Sequence, residues 1–219
     1  MLSEYDGGKE VFMSNLKEAT LRFIYVAAMR DAAIQGAFDG KKAWLWKDDD
    51  LSHRIVSEVL KPILDDVISE TVKTQEAYDK KFINGCAQAC EIVNDDRFTF
   101  GNAQKLINIF MKYCYITTYH GVSASLFQFC HCPMDGKMLR NAFDYAQKNL
   151  PSEIKENRSD YINGWGSLQF SSDATGEKCM NSKYEQSQNI IREICKGIVD
   201  PETSETIYPI EYDYIAWQS

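Results

Sequence analysis

Proline and histidine are both scarce, with five and three in 219 residues. Few helix breakers leave room for long uninterrupted helices. The three histidines, His53, His120 and His131, offer no second Cys or His pair at zinc-ligand spacing. No apolar run approaches the ~18 to 20 residues that cross a bilayer. The start, Met1-Leu2-Ser3-Glu4-Tyr5-Asp6, has neither a basic n-region nor an apolar h-region. Seven cysteines, an odd number at irregular spacing, read as reduced thiols rather than a disulfide framework. The phosphate loops G-x-x-x-x-G-K-[ST] and G-x-G-x-x-G are missing, as are the G-x-S-x-G elbow and the H-E-x-x-H helix. Kinases, P-loop NTPases, Rossmann dehydrogenases and zinc proteases are therefore disfavoured. There is no internal repeat and no low-complexity tract. The expectation is a cytoplasmic protein with no membrane association.

Basic side chains are also in the minority, 24 against 32 acidic, for a formal net charge of −8. That excludes a protein that grips phosphate backbones over its whole surface. The charge is unevenly spread. From Arg97 to Leu150 the segment carries +4, and the remainder of the chain carries −12. A bounded positive segment in an acidic protein is what a local anion-binding face looks like. A buried central helix that excludes Asp and Glu would leave the same imbalance.

What is present is helical periodicity, over 44% hydrophobic residues. The spacing predicts a helix from Lys9 to Gln35, stopped at Phe38-Asp39-Gly40. Asp48, Asp49 and Asp50 offer caps for a helix through Ile55, Val56 and Val59, interrupted or restarted at Pro62. An amphipathic stretch through Ala77, Phe82, Ile83, Ala87 and Ile92 stops near Asn94. From Gly101 to Tyr119 the helix is apolar on most of its circumference, which belongs at the centre of a fold. Its polar residues Gln104, Lys105, Asn108 and Lys112 share one stripe. Pro133-Met134-Asp135-Gly136 begins another helix, and a polar loop runs from Ser152 to Lys178. A helix near Lys183–Lys196 and a short terminal element at Pro209–Trp217 close the chain. The fold class is all-α. Residues 1–219 read as a single globular helical domain, a compact multi-helix bundle or two lobes sharing a core, around the buried helix at 101–118.

Several residues carry candidate chemistry. A lysine partly desolvated on the polar stripe, Lys105 or Lys112, would have a lowered pKa and a usable nucleophilic amine. The plainer reading is a solvent-facing stripe with snorkelling stems. Asp135 fits an N-cap, a role compatible with stabilising a developing cation or orienting a water. Cys130-His131-Cys132 suggests a metal cluster at first sight, but adjacent residues point apart, and buried thiols are the better reading. Trp44, Trp46 and Trp165 flank charged or glycine-rich turns. Beside Lys41, Lys42 and Lys47 such rings could stack on bases, although core packing is the commoner fate of tryptophan.

Phe100-Gly101-Asn102-Ala103-Gln104-Lys105, followed by Cys132-Pro133-Met134-Asp135-Gly136-Lys137-Met138-Leu139-Arg140, resembles the helix-hairpin-helix DNA glycosylases. In that family a hairpin enters a helix bearing a catalytic lysine, and a later Pro-x-Asp supplies the catalytic aspartate. The spacing between Lys105 and Asp135 is more similar to the archaeal 8-oxoguanine glycosylase branch. The resemblance covers roughly residues 95–145. Of the family's Gly-hydrophobic-Gly hairpin only Gly101 remains. What the resemblance implies is base excision from DNA after base flipping, a hydrolase or lyase with no cofactor and no metal. Lys105 and Asp135 would be catalytic, with Lys112 the alternative nucleophile. Gly101, Gln104, Asn108, Lys112, Lys137 and Arg140 would face nucleic acid, and Trp165 would line the base pocket. Residues 101–113 also resemble uncharacterised bacterial helical proteins. The competing expectation is a non-enzymatic helical protein, of bacterial or phage origin, that binds a protein partner or nucleic acid.

Overall fold

The computed structural model describes residues 4–32, 49–117, 123–151, 154, 156–201 and 204–218. Trp44, Trp46, Lys41, Lys42, Lys47, His120 and the stop at Phe38-Asp39-Gly40 lie outside them. The described residues are overwhelmingly helical, with one two-stranded ladder. The elements are α1 (Glu4–Ala32), α2 (Asp49–Arg54), α3 (Lys61–Ile68), α4 (Gln75–Val93), α5 (Phe100–Ile116), α6 (Gly136–Asn149), α7 (Arg158–Ile162), α8 (Ser182–Lys196) and α9 (Pro209–Gln218). No described helix is long and apolar enough to cross a membrane.

Pro62 does not end the second helical stretch. It widens it. Proline has no N–H to donate to the carbonyl four residues back. The turn ahead of it, Ile55–Leu60, is π-helical, and the Lys61 amide bonds the Val56 carbonyl instead. Ile55, Val56, Val59 and Leu60 are all buried there.

Capping accounts for the other starts. Thr74 accepts from the Ala77 amide at 3.2 Å to open α4, and left-handed Asn94 closes it at φ 46°. Thr99 and Asn102 cap α5 reciprocally, the Thr99 amide donating to Asn102 Oδ1 at 2.9 Å. Asn181 accepts from the Lys183 amide at 3.1 Å at the head of α8.

α5 is the centre of the bundle, buried from Phe100 through Met111 and again at Cys114. It packs mainly against α1 and α4. Burying each large aliphatic or aromatic side chain contributes about 1.5–3 kcal/mol, so this helix anchors the core. One buried cluster runs continuously from Leu21 on α1 to Ala216 on α9. The helix ends at Ile116, short of the expected Tyr119, and Thr117 turns its hydroxyl back to the Tyr113 carbonyl at 2.8 Å.

The stretch expected as a loop from Ser152 to Lys178 is partly built. It holds α7, a 3₁₀ turn at Trp165–Ser167, and strands β1 (Ser171–Ser172) and β2 (Lys178–Cys179). Local side-chain bonds make that possible. Asp173 Oδ1 accepts from the Thr175 and Glu177 amides at 2.8 and 2.9 Å, and Gly176 takes φ +86° to turn the hairpin.

Candidate functional site

The polar stripe of α5 does not face bulk water. Gln104, Lys105 and Asn108 are buried, and Lys112 is half-buried. Lys105 is 6% exposed, and its amine has no hydrogen-bond or ion-pair partner among the described residues. It opens instead onto two adjoining clefts, of about 400 Å³ and 350 Å³. Both fall within the range of small-molecule sites. Burial pushes the Lys105 amine down to about 8, against the opposing pull of the Asp135, Asp31 and Asp213 carboxylates. The free amine is therefore a minority form at neutral pH and the dominant one above about pH 8.

Asp135 lines the same two clefts. Its Oδ1 caps α6, accepting from the Lys137 and Met138 amides at 2.7 and 2.9 Å. Its Oδ2 has no hydrogen-bond partner among the described residues, so capping consumes one oxygen and leaves the other free. The helix cap and the cleft carboxylate are thus one side chain.

The wider cleft has a cationic lip. Lys137 and the exposed Arg140, one turn apart on α6, line it, and Arg140 has no ion-pair partner among the described residues. Trp165 and Gly101 form its back wall. The Trp165 indole is buried, its N–H donating to the Tyr161 carbonyl at 2.8 Å, with the Lys183 ammonium 5.9 Å from its ring centre. Gly101 comes so close that a Cβ there would lie 1.9 Å from the Trp165 carbonyl oxygen.

The narrower cleft is acidic and aromatic, lined by Asp31, Asp213, Tyr214 and Trp217 beside Lys105, Asp135 and Lys112. Lys112 forms an ion pair with Asp213 and sits 5.4 Å from the Tyr214 ring centre. Burial raises the Asp213 carboxyl, against the Lys112 charge and a hydrogen bond with the Trp217 side chain. Asp31 accepts from the Tyr113 hydroxyl. Trp217 is 55% exposed, lines both clefts, and carries the Lys137 ammonium 5.4 Å from its ring centre.

The structure thus brings Lys105, Asp135, Gly101, Gln104, Lys137, Arg140 and Trp165 to one cleft and Lys112 to the next. Two residues expected to face nucleic acid present no free group to either cleft. The Gly101 amide already donates to the Leu168 carbonyl at 3.1 Å, so it is not directed at a ligand. Asn108 is fully buried and reaches neither cleft; it bonds Gln104 and Tyr184. His131 is likewise committed, to Asp79 and Tyr184. Among the described residues no group of three or more His, Cys, Asp or Glu is placed to hold a metal ion.

Asp31, Asp213 and Trp217 escaped the sequence reading. A signal existed for two of them: Asp213 and Trp217 are four apart and share a helix face. No protein-family model, curated protein or solved structure matches the chain.

Proposed function

We propose that the paired clefts form a Lys/Asp base-excision site that acts on DNA, with Lys105 as nucleophile and Asp135 as the electrostatic and proton-handling partner. One observation carries the reading. A buried, unpartnered amine held at about 8 opens beside a carboxylate with a free oxygen, in a cleft edged by cations.

In this reading a flipped nucleotide enters with its phosphates along Lys137 and Arg140 and its sugar between Lys105 and Asp135. The base occupies the narrower cleft against Trp217, where Asp31 and Asp213 offer acceptors to base N–H groups. The free Lys105 amine attacks C1′, and the C1′–N bond breaks with its electron pair leaving on the base, which takes up a proton. The Asp135 carboxylate stabilises the positive charge that develops on the sugar and accepts the proton lost from the lysine nitrogen. Ring opening, with O4′ protonated, gives the Schiff base. Loss of a C2′ proton then expels the 3′ phosphate, and water releases the enzyme. Lys112 is the weaker nucleophile candidate, because its ammonium is held by Asp213.

Incubation with duplexes that each carry one modified base tests the reading. The expected result is release of free base from at least one duplex, abolished by Lys105→Met. A chain that binds such duplexes without releasing any base would be a binding protein, and the excision reading would fall.

A further inference from the structure

A buried chain of hydrogen bonds runs from the reactive turn of α5 to α4. Gln104 Nε2 donates to the Gly101 carbonyl at 3.0 Å. Asn108 Nδ2 donates both to Gln104 Oε1, at 3.1 Å, and to the Tyr184 hydroxyl, at 2.7 Å. The Tyr184 hydroxyl meets His131 Nδ1 at 3.0 Å, and His131 Nε2 meets Asp79 Oδ1 at 2.8 Å. Gln104, Asn108, His131 and Tyr184 are all buried. They come from α5, α8 and the segment ahead of α6.

The chain has a direction. An ionised Asp79 can only accept, so His131 carries its hydrogen on Nε2 and leaves Nδ1 as acceptor. Tyr184 then donates to Nδ1 and accepts from Asn108. Both Asn108 N–H groups are used, while its Oδ1 is buried with no partner. An orphaned buried acceptor costs stability, and local rules are broken in this way mainly at functional sites.

We propose that Asp79, His131, Tyr184, Asn108 and Gln104 are positioning residues that fix the first turn of α5 and with it the direction in which Lys105 presents its amine. The proposal rests on Lys105 being the nucleophile, though not on DNA as substrate. His131 is surrounded by Asp79 and Gln75 on α4, by Arg192 and Tyr184 on α8, and by the Tyr78 and Phe82 rings at 5.2 and 4.6 Å. Burial lowers its pKa, Asp79 opposes, and Arg192 reinforces the lowering, so the ring is neutral at physiological pH. A second proton would place an N–H on Nδ1, against the Tyr184 O–H. The one free acceptor in reach is Asn108 Oδ1, and turning that amide reverses Gln104 and sets its oxygen against the Gly101 carbonyl.

The test uses pyridoxal 5′-phosphate with borohydride, which labels a free lysine amine and needs no DNA, followed by peptide mapping. The full chain is expected to label at Lys105 with a midpoint near pH 8. Tyr184→Phe keeps the ring but removes the link; it should slow Lys105 labelling at least tenfold and move the midpoint, with the helical spectrum unchanged. Asp79→Asn acts from the half-exposed end, frees His131 to change tautomer, and should slow labelling similarly; it decides the matter if Tyr184→Phe does not fold. Nitrogen-15 spectra should show the His131 proton on Nε2 in the parent and a changed ring in Asp79→Asn. Wild-type rate and midpoint in the folded variants would overturn the relay alone. No labelling of Lys105 in the parent would overturn the nucleophile reading and the relay with it.

Discussion

Gly101 and Trp165 meet backbone to backbone, at a separation that leaves no room for a Cβ. That contact places the first turn of α5 against the 3₁₀ turn that walls the cleft, and the Gly101 amide fastens it to the Leu168 carbonyl. Gly101→Ala must push these two backbones apart. The expected loss is about 1–3 kcal/mol, as for other overpacked sites, read by denaturant unfolding. The variant should also lose Lys105 reactivity. An unchanged midpoint in denaturant would mean the close approach is not held in solution.

Lys105 is costly to the fold while charged, because burial lowers its pKa from 10.5 to about 8. Below pH 8 it is protonated in both folded and unfolded chains, and the full penalty applies. Between about 8 and 10.5 the unfolded chain holds more protons than the folded one, so the penalty fades as pH rises. Lys105→Met should therefore stabilise the protein at pH 7, by up to about 3 kcal/mol. Its advantage over the parent should shrink steadily up to pH 10. Taking the difference between the two chains cancels the buried thiols and tyrosines, which titrate in the same range with the opposite sign. A constant difference across that range would contradict the assigned burial.

Asp135 separates two roles. Asp135→Asn keeps a capping oxygen for the Lys137 and Met138 amides, so stability should change by less than about 1 kcal/mol. It removes a carboxylate that holds the Lys105 pKa up. The pH midpoint of lysine labelling should move below 8, while base release falls by about 10²–10³. Equal stability with unaltered labelling would show that the two side chains do not sense each other.

The cationic lip predicts salt behaviour. If Lys137 and Arg140 each neutralise one phosphate, either alanine variant should lower the log–log salt slope of duplex binding by about 0.9. Affinity should drop for all sequences alike, since phosphate contacts carry no base information. Titration at several salt concentrations reads both. An unaltered slope would remove these residues from the interface.

Much of this arrangement was legible from the residues. The helix start at Asp135 follows from a side chain that can accept from amides two or three positions on; the caps at Thr99 and Asn181 became visible only in the structure. Placing Gln104, Lys105, Asn108 and Lys112 on one stripe follows from helical spacing. Which environment that stripe faces does not. Periodicity tells which side chains share a face and is silent on what covers it, so a snorkelling surface and a desolvated cleft look alike. The cover comes from Asp135 at the head of α6 and from Asp213 and Trp217 on α9, 30 to 112 residues further along the chain. Asn108 shows the same limit from the other side: a polar residue in a polar stripe, turned inward to Tyr184.

In the proposed site Lys105, rather than Lys112, is the reactive amine. Borohydride reduction in the presence of abasic-site DNA, followed by peptide mapping of the adduct, tests it most directly. One DNA adduct is expected, on the peptide bearing Lys105, formed faster as pH rises toward 8 and lost in Lys105→Met. No adduct, or one on Lys112, would contradict it.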